Sequence, residues 1–259
     1  MIVYRSTVAV EKDTRFLDRF HILFSDADSA WNVLMDTLFE LSDIAGTEDY
    51  VFAFSDPDHN FRKDLIGDDY KANREGVRKP LAYWDTRARV EETFESLWKP
   101  KLEADDTMGL LMTGEGGEDY ILWSLDKDLK QIPGRRIDDD EVIVQPQALA
   151  DRFFYTQILA GDPVDGYPGC PGFGMDTAER VLRKGVKFEP YTHELKSGPR
   201  KGQTETRFAE VEGATPWETI LSSYAKAGQT EDDALYNARM ARILRDGEYV
   251  NNKVRLWTP

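Results

Sequence analysis

The sequence contains a single cysteine and no long apolar segment, and each absence excludes a class of protein. Because Cys170 is the only cysteine among 259 residues, the sequence has neither an internal disulfide nor a cysteine-rich zinc site. There is no apolar run of about 18 residues, so no membrane span is expected. The N-terminus also lacks the charged start and apolar core of a signal peptide. The expected setting is the cytoplasm.

Positive charge is scarce as well. The chain has 33 Lys and Arg against 48 Asp and Glu, a formal net charge of −15. This excess of negative charge argues against general binding to polyanions. The charge is unevenly distributed, however, because Lys and Arg concentrate at residues 62–89 and 183–207. If bound cations neutralise some of the acidic residues, the net charge is a poor guide to whether the protein binds polyanions.

The patterning predicts an α/β fold. Hydrophobic residues make up 41% of the chain, enough for one large domain or one domain with a helical appendage. Helical periodicity alternates with short apolar runs, which predicts a parallel-rich central sheet flanked by helices. Predicted helices cover residues 29–44 (with Asp28 or Ser29 as N-cap), 84–98, a segment starting at Glu103, and 148–160; predicted strands cover 50–54, 120–125 and 141–144.

Seven carboxylates fall in three tight groups at the ends of predicted elements. Carboxylates that converge raise each other's pKa unless divalent cations neutralise them, and oxygen ligands suit Mg²⁺ or Mn²⁺. Asp56 and Asp126 also follow predicted strands, where α/β sheets bind ligands. The three groups are Glu103, Asp105 and Asp106; Asp126 and Asp128; and Asp162 and Asp165.

Beyond Gly161 the chain becomes glycine-rich, which predicts a phosphate-binding turn. Residues 172–174 look like the hairpin of a helix-hairpin-helix element before a helix over 175–184, and Gly169, Gly172 and Gly174 are its candidate DNA-binding residues. There, N–H groups at a helix N-terminus grip a phosphate without reading bases, and glycine permits close approach. Further predicted elements are a β-hairpin over 187–211, helices over 216–227 and 231–245, and a strand over 253–257.

Six short motifs stand in order along the chain. They are Phe54-Ser55-Asp56; Tyr70-Lys71-Ala72-Asn73-Arg74; Glu103-Ala104-Asp105-Asp106; Asp126-Lys127-Asp128; Gly161-Asp162-Pro163-Val164-Asp165-Gly166; and Met240-Ala241-Arg242-Ile243-Leu244 with Leu256-Trp257. Each motif alone is weak. Together, they resemble those of the flap endonuclease and 5′–3′ exonuclease family, and within it the exonucleases of T-odd bacteriophages.

The resemblance implies a fold and an activity. It implies a PIN/FEN-like nuclease domain over residues 1–160, with an arch over 57–90, and a helix-hairpin-helix (H3TH) DNA-binding region over 161–259. The implied activity is hydrolysis of duplex DNA from a 5′ end or at a 5′ flap by two Mg²⁺ or Mn²⁺ ions, in the cytoplasm of a phage-infected bacterium. An RNA–DNA hybrid is a further candidate substrate, and K⁺ a further candidate ion at the H3TH region. The oligomeric state is left open.

The resemblance also assigns roles to residues. Lys71 and Arg74 match arch residues, and they would stabilise the extra charge on the phosphate in the transition state. The residues matching the first metal site are Asp56, Glu103, Asp105 and Asp106, and those matching the second are Asp126, Asp128, Asp162 and Asp165.

The start of the sequence departs from the family pattern. Members begin with a buried strand ending in Asp-x-Asp, just before a pattern like that of residues 2–5. We therefore expect the chain to be N-terminally incomplete, lacking a central strand and one metal ligand. An alternative takes residues 21–24 as that strand, Asp26 and Asp28 as the ligands, and residues 29–44 as the crossover helix, a spacing that a βαβ unit permits.

Two other functional classes compete with a 5′ nuclease. One is a catalytically impaired remnant that still binds DNA structures but lacks the first metal-ligand aspartate. The other is a ribonuclease of the PIN type, against which the glycine-rich segment 161–174 argues. A calcium loop opening at Asp126 is rejected, because its sixth position is Gln131 and no glutamate occupies its twelfth.

Overall fold

The computed structural model describes residues 1–16, 20–67, 70–72 and 76–259. The chain divides into two compact units. The first comprises Met1–Phe61, Arg74–Pro146 and Ile243–Lys253, and the second comprises Arg62–Asn73, Gln147–Arg242 and Val254–Pro259. A C-terminal segment therefore returns to the first unit. Residues 147–160, which we assigned to the nuclease domain, belong to the second unit.

The described residues form helices and mostly short strands. The helices are α1 (Ile2–Val10), α2 (Ala27–Ala45), α3 (Phe61–Ile66), α4 (Tyr83–Thr93), α5 (Ala104–Thr113), α6 (Gln147–Ala160), α7 (Met175–Lys184), α8 (Pro216–Lys226) and α9 (Glu231–Ala241). The strands are β1 (Lys12–Phe16), β2 (Phe20–Phe24), β3 (Val51–Ala53), β4 (Glu95–Leu97), β5 (Ile121–Leu122), β6 (Gly134–Asp138), β7 (Glu141–Gln145), β8 (Val186–Glu194), β9 (Thr204–Glu212), β10 (Tyr249–Val250) and β11 (Lys253–Val254). No described helix combines the length and the apolar character that a membrane crossing requires.

The first unit contains both parallel strand pairs. β3 pairs in parallel with β4, and β5 pairs in parallel with β6, which continues antiparallel to β7. The mixed α/β class is confirmed, although the two parallel pairs of the described residues lie in two separate sheets and not in one central sheet. β4 replaces the end of the helix predicted over 84–98. The chain leaves helical geometry at Phe94, whose ring packs on Trp31 and Phe52.

The N-terminal hairpin contradicts the alternative placement of the metal ligands. β2 pairs antiparallel with β1 and is exposed along its whole length, so it is not a buried central strand. Asp26 is the N-cap of α2, and its Oδ2 accepts from the Ser29 N–H at 3.0 Å. Asp28 forms an ion pair with Arg89 at 3.0 Å. Asp26 and Asp28 therefore have structural partners, and the cap predicted at Asp28 or Ser29 was wrong.

The second unit is built around α6, which packs against α7, α8 and α9. Ile158 of α6 and Tyr224 of α8 are fully buried, and the Tyr224 hydroxyl donates to the Ile158 carbonyl at 2.7 Å. Cys170 belongs to the same core, and burial raises the pKa of its thiol to about 12. Such a thiol is a packing residue and not a nucleophile.

Sequence patterns located most elements of this unit. The helix predicted over 175–184 is confirmed as α7, and the predicted hairpin is confirmed as β8 and β9. α9 ends at Ala241, earlier than predicted. Arg242 adopts extended geometry there, and its guanidinium lies 4.9 Å from the centre of the Phe154 ring.

Candidate functional site

Hydrogen bonds join the carboxyl end of β3 to the start of α5. Ser55 Oγ accepts from the Ala104 N–H at 3.0 Å. The Asp56 N–H donates to the Leu102 carbonyl at 2.9 Å. The segment that carries Asp56 therefore lies beside the acidic first turn of α5, as the metal-site prediction requires.

Three backbone N–H groups fix the carboxylate of Asp56. Its Oδ1 accepts from Asp58 and His59 at 2.9 and 3.2 Å, and its Oδ2 accepts from Lys101 at 2.7 Å. Burial raises the pKa of Asp56, but the three donors together outweigh burial and hold the pKa below its usual range. A carboxylate has about four acceptor positions, so the donors found among the described residues leave about one for a metal ion or a water molecule.

A segment distant in sequence contacts the same region. The Tyr249 hydroxyl donates to the Pro100 carbonyl at 3.0 Å, and Asn252 Oδ1 lies 3.3 Å away. Burial, and then the charge of Asp56, raise the pKa of Tyr249, so its hydroxyl keeps its proton near neutral pH. We did not predict a role for Tyr249, because its partner is 149 residues away in the sequence.

Asp106, predicted to be a metal ligand, is a buried hydrogen-bond acceptor. It is fully buried, and its Oδ2 accepts from the Glu103 N–H at 3.2 Å in a capping box that starts α5. Its Oδ1 accepts from the Leu244 N–H, also at 3.2 Å. At Gly109, an added Cβ would lie 2.2 Å from the Leu244 carbonyl. Asp106 therefore anchors the C-terminal segment to α5.

Replacing Asp106 with alanine is expected to lower the free energy of unfolding by about 2–4 kcal/mol, because one buried and one half-buried N–H group lose their acceptor. Urea unfolding followed by tryptophan fluorescence measures this loss. The matched control is Asp119→Ala at an exposed acid, which is expected to change stability by less than about 0.5 kcal/mol. Unchanged stability of Asp106→Ala would contradict the anchoring role.

The charges of Asp105 and Asp126 both act on the Met1 α-amino group. Burial lowers the pKa of the Met1 α-amino group, and the charges of Asp105 and Asp126 oppose that shift. Carboxylate oxygens such as those of Asp105 and Asp126 are donors that suit a hard divalent ion. Across residues 1–16, 20–67, 70–72 and 76–259, however, no three acidic, histidine or cysteine side chains converge closely enough to hold a metal ion.

Asp126 also forms hydrogen bonds with the backbone of its own turn. It is the N-cap of the short turn Lys127–Gln131, and its Oδ1 accepts from the Asp128 N–H at 3.0 Å. The Asp126 N–H in turn donates to Ser124 Oγ at 3.1 Å. This cap fixes the orientation of the Asp126 carboxylate.

In the second unit, Lys71 lies beside Asp165. The distance from Lys71 Nζ to Asp165 Oδ2 is 3.4 Å, and the two side chains are 15% and 20% exposed. Asp162 Oδ1 accepts from the Val164 N–H at 2.9 Å, within the turn that carries both acids. The structure thus pairs one predicted catalytic residue with one predicted metal ligand. Arg74, the other predicted catalytic residue, lies outside the described residues.

The three candidate DNA-binding glycines differ in their surroundings. Gly169 is buried, and its N–H donates to Asn237 Oδ1 at 2.8 Å, so that N–H is not available to a phosphate. This close packing argues against a phosphate contact through the Gly169 N–H, and the DNA-binding role of Gly169 stays a prediction. Gly172 and Gly174 are exposed with open space around them. Gly174 is the N-cap of α7, where no side chain caps the helix.

Comparison with known proteins gives a consistent set of relatives. No protein-family model matches the chain. Over 222 residues it is 38% identical to an exodeoxyribonuclease of Enterobacteria phage T3 and 38% identical to an exonuclease of Escherichia phage T7. Both alignments cover 81% of this chain and 73% of the relative. A solved structure of a T5 5′-exonuclease mutant matches with a TM-score of 0.52 at 14% identity, covering 83% of this chain and 80% of that chain.

Proposed function

Because the chain belongs to the family of flap endonucleases and 5′–3′ exonucleases, we propose that it hydrolyses duplex DNA from 5′ ends or at 5′ flaps with two divalent metal ions. One observation carries the proposal. Two hydrogen bonds, Ala104 N–H to Ser55 Oγ and Asp56 N–H to the Leu102 carbonyl, hold two predicted ligand groups side by side.

The proposed metal ligands are carboxylates of both units. In the first unit, the proposed ligands are Asp56, Glu103, Asp105, Asp126 and Asp128. Asp106 stays a predicted ligand, although each of its oxygens already accepts from a backbone N–H. For Asp162 and Asp165, the proposed role as metal ligands rests on the family resemblance alone. When bound, Mg²⁺ or Mn²⁺ supplies an activated water and charge neutralisation at the attacking and leaving oxygens. The backbone donors on Asp56 keep its carboxylate charged and oriented for such a ligand.

DNA binding is proposed for the second unit. α6, the turn after it and α7 would form the helix-hairpin-helix element, with the exposed residues Gly172 and Gly174 next to the phosphate backbone. A helix N-terminus attracts anions through its unpaired N–H groups and its dipole. Such contacts do not read bases, so recognition would depend on DNA structure and on salt concentration.

The dependence on a 5′ end tests this function. The substrates are a linear duplex labelled at its 5′ ends, the same duplex labelled at its 3′ ends, a 5′-flap duplex and a covalently closed circle. We expect early release of label from 5′ ends or at the flap, late release from 3′ ends, and no cleavage of the circle. Binding without cleavage of any substrate would favour the impaired DNA-binding remnant, and cleavage of the closed circle would contradict end recognition.

Removal of the Lys71 charge is expected to slow hydrolysis. In the Lys71→Met variant, the ammonium that pairs with Asp165 is lost, and we expect kcat to fall by about 100-fold while duplex affinity changes little. Single-turnover kinetics and fluorescence anisotropy measure the two quantities separately. Lys63→Met, which removes an exposed charge from α3, is the control and should retain the unaltered rate. Equal rates for both variants would remove Lys71 from the mechanism.

A further inference from the structure

The shortest hydrogen bond to Asp56 comes from a residue in a strained conformation. The Lys101 N–H donates to Asp56 Oδ2 at 2.7 Å. Lys101 has φ of +64°, in the left-handed region that residues with a Cβ adopt at an energetic cost. Such a conformation persists only where the surrounding structure enforces it. The contacts around Lys101 therefore decide how firmly Asp56 is held.

A local turn spans Lys101, because the Leu102 N–H donates to the Lys99 carbonyl at 3.1 Å. Two further sets of contacts hold this turn. On the β3 side, the Lys101 carbonyl accepts from the Phe61 N–H at 3.0 Å, and the Leu102 carbonyl accepts from the Asp56 N–H at 2.9 Å. On the other side, the Tyr249 hydroxyl donates to the Pro100 carbonyl at 3.0 Å. The Pro100–Lys101 peptide is thus held between the carboxyl end of β3 and a tyrosine of the C-terminal segment.

We propose that Tyr249 is a positioning residue for metal binding, acting through Pro100 and Lys101 on the carboxylate of Asp56. This inference rests on the proposed function, because it assigns Asp56 as a ligand. Tyr249 holds the peptide that presents the Lys101 N–H, and that N–H fixes Asp56 Oδ2. Groups that orient a metal ligand typically change metal affinity or activity by about 10- to 100-fold when they are removed.

The test is the Mg²⁺ dependence of hydrolysis by the Tyr249→Phe variant of the full chain. Loss of one hydroxyl is expected to raise the Mg²⁺ concentration for half-maximal rate by about 10-fold or more, with little change in KM for DNA. Tyr50→Phe is the matched control, because the Tyr50 hydroxyl also donates to a backbone carbonyl of the first unit, that of Leu38 at 2.8 Å. The control should keep the unaltered Mg²⁺ dependence.

A rescue separates positioning from loss of folding. Glycine adopts positive φ without strain, so Lys101→Gly added to Tyr249→Phe should let the peptide keep its conformation without the tyrosine. We expect the double variant to recover most of the Mg²⁺ affinity. If Tyr249→Phe also lowers the melting temperature more than Tyr50→Phe does, this rescue decides between the two explanations. No recovery in the double variant would overturn the inference.

Failure of the positioning role and failure of the proposed function give different results. Identical Mg²⁺ curves for the unaltered chain and Tyr249→Phe would overturn the positioning role and leave the proposed function intact. Absence of any Mg²⁺-dependent cleavage by the unaltered chain would overturn the proposed function itself. Asn252→Ala completes the set, because it removes the second acceptor near the Tyr249 hydroxyl. An effect of Asn252→Ala as large as that of Tyr249→Phe would place the important bond on Asn252 and not on Pro100.

Discussion

Replacing Asp126 with asparagine is expected to slow DNA hydrolysis by about 1,000-fold or more while leaving the fold and duplex binding intact. The substitution removes a negative charge that would help to hold a divalent ion. Metal ions contribute several kcal/mol to the stabilisation of the transition state in such reactions. Each 1.4 kcal/mol corresponds to about a tenfold change in rate. The amide oxygen of asparagine can still accept from the Asp128 N–H and so preserve the turn Lys127–Gln131. A loss of rate would therefore report on charge and not on local unfolding.

Two measurements separate these effects. Single-turnover cleavage of a 5′-labelled duplex gives the rate, and fluorescence anisotropy without divalent metal gives the affinity for duplex. Asp140→Asn removes the same charge from an exposed acid of the same unit and should cleave at the unaltered rate. If Asp126→Asn cleaves as fast as the control, Asp126 does not hold a metal ion that the reaction needs.

Replacing Gly169 with alanine is expected to lower the free energy of unfolding by more than about 4 kcal/mol, a size that points to a specific steric cause. An added Cβ would lie 2.4 Å from the Gly161 nitrogen and 2.7 Å from the Leu159 carbonyl oxygen, and φ is already +70°. The neighbouring atoms are backbone, so they have no rotamer to change. The turn after α6 would have to open, and the core around it would loosen.

Gly228→Ala is the matched control for this prediction. Gly228 has a similar φ of +77° but nothing within 4 Å of an added Cβ, so only the backbone penalty of about 1–2 kcal/mol applies. Urea unfolding of both variants, followed by tryptophan fluorescence, gives the difference directly. Equal losses would contradict the close contact between Gly161 and Gly169. A stable Gly169→Ala variant that binds DNA poorly would restore the phosphate-binding role that the structure argues against.

Local sequence patterns predicted most of the helices. Most of the wrong predictions concern residues whose packing or hydrogen-bond partners are distant in the sequence. The periodicity over residues 175–184 was sufficient to locate α7, because an amphipathic helix with Gly185 as its C-cap carries its own signals. β4 was missed because the pattern around Phe94 fits a helix equally well. β4 is a strand because it pairs in parallel with β3. In this register Glu95 lies opposite Val51, which is 44 residues earlier in the sequence.

The same limit applies to the candidate site. The order of the acidic motifs identified the region, since Asp56 and the start of α5 do lie together. The sequence did not distinguish Asp105 from Asp106, although only Asp106 is fully buried and bonded to Leu244, 138 residues away. Tyr249 carries no local signal at all. Roles that depend on a distant hydrogen-bond partner become visible only in three dimensions.

Withdrawal of the divalent metal tests most directly whether this chain hydrolyses DNA with such an ion. The measurement is the release of labelled nucleotides from a 5′-labelled duplex by the 259-residue chain, first with Mg²⁺, then with excess EDTA, then with Mg²⁺ restored. We expect release with Mg²⁺, none with EDTA, and recovery when Mg²⁺ returns. Release that continues unchanged in EDTA, or no release under any of the three conditions, would contradict the proposed function.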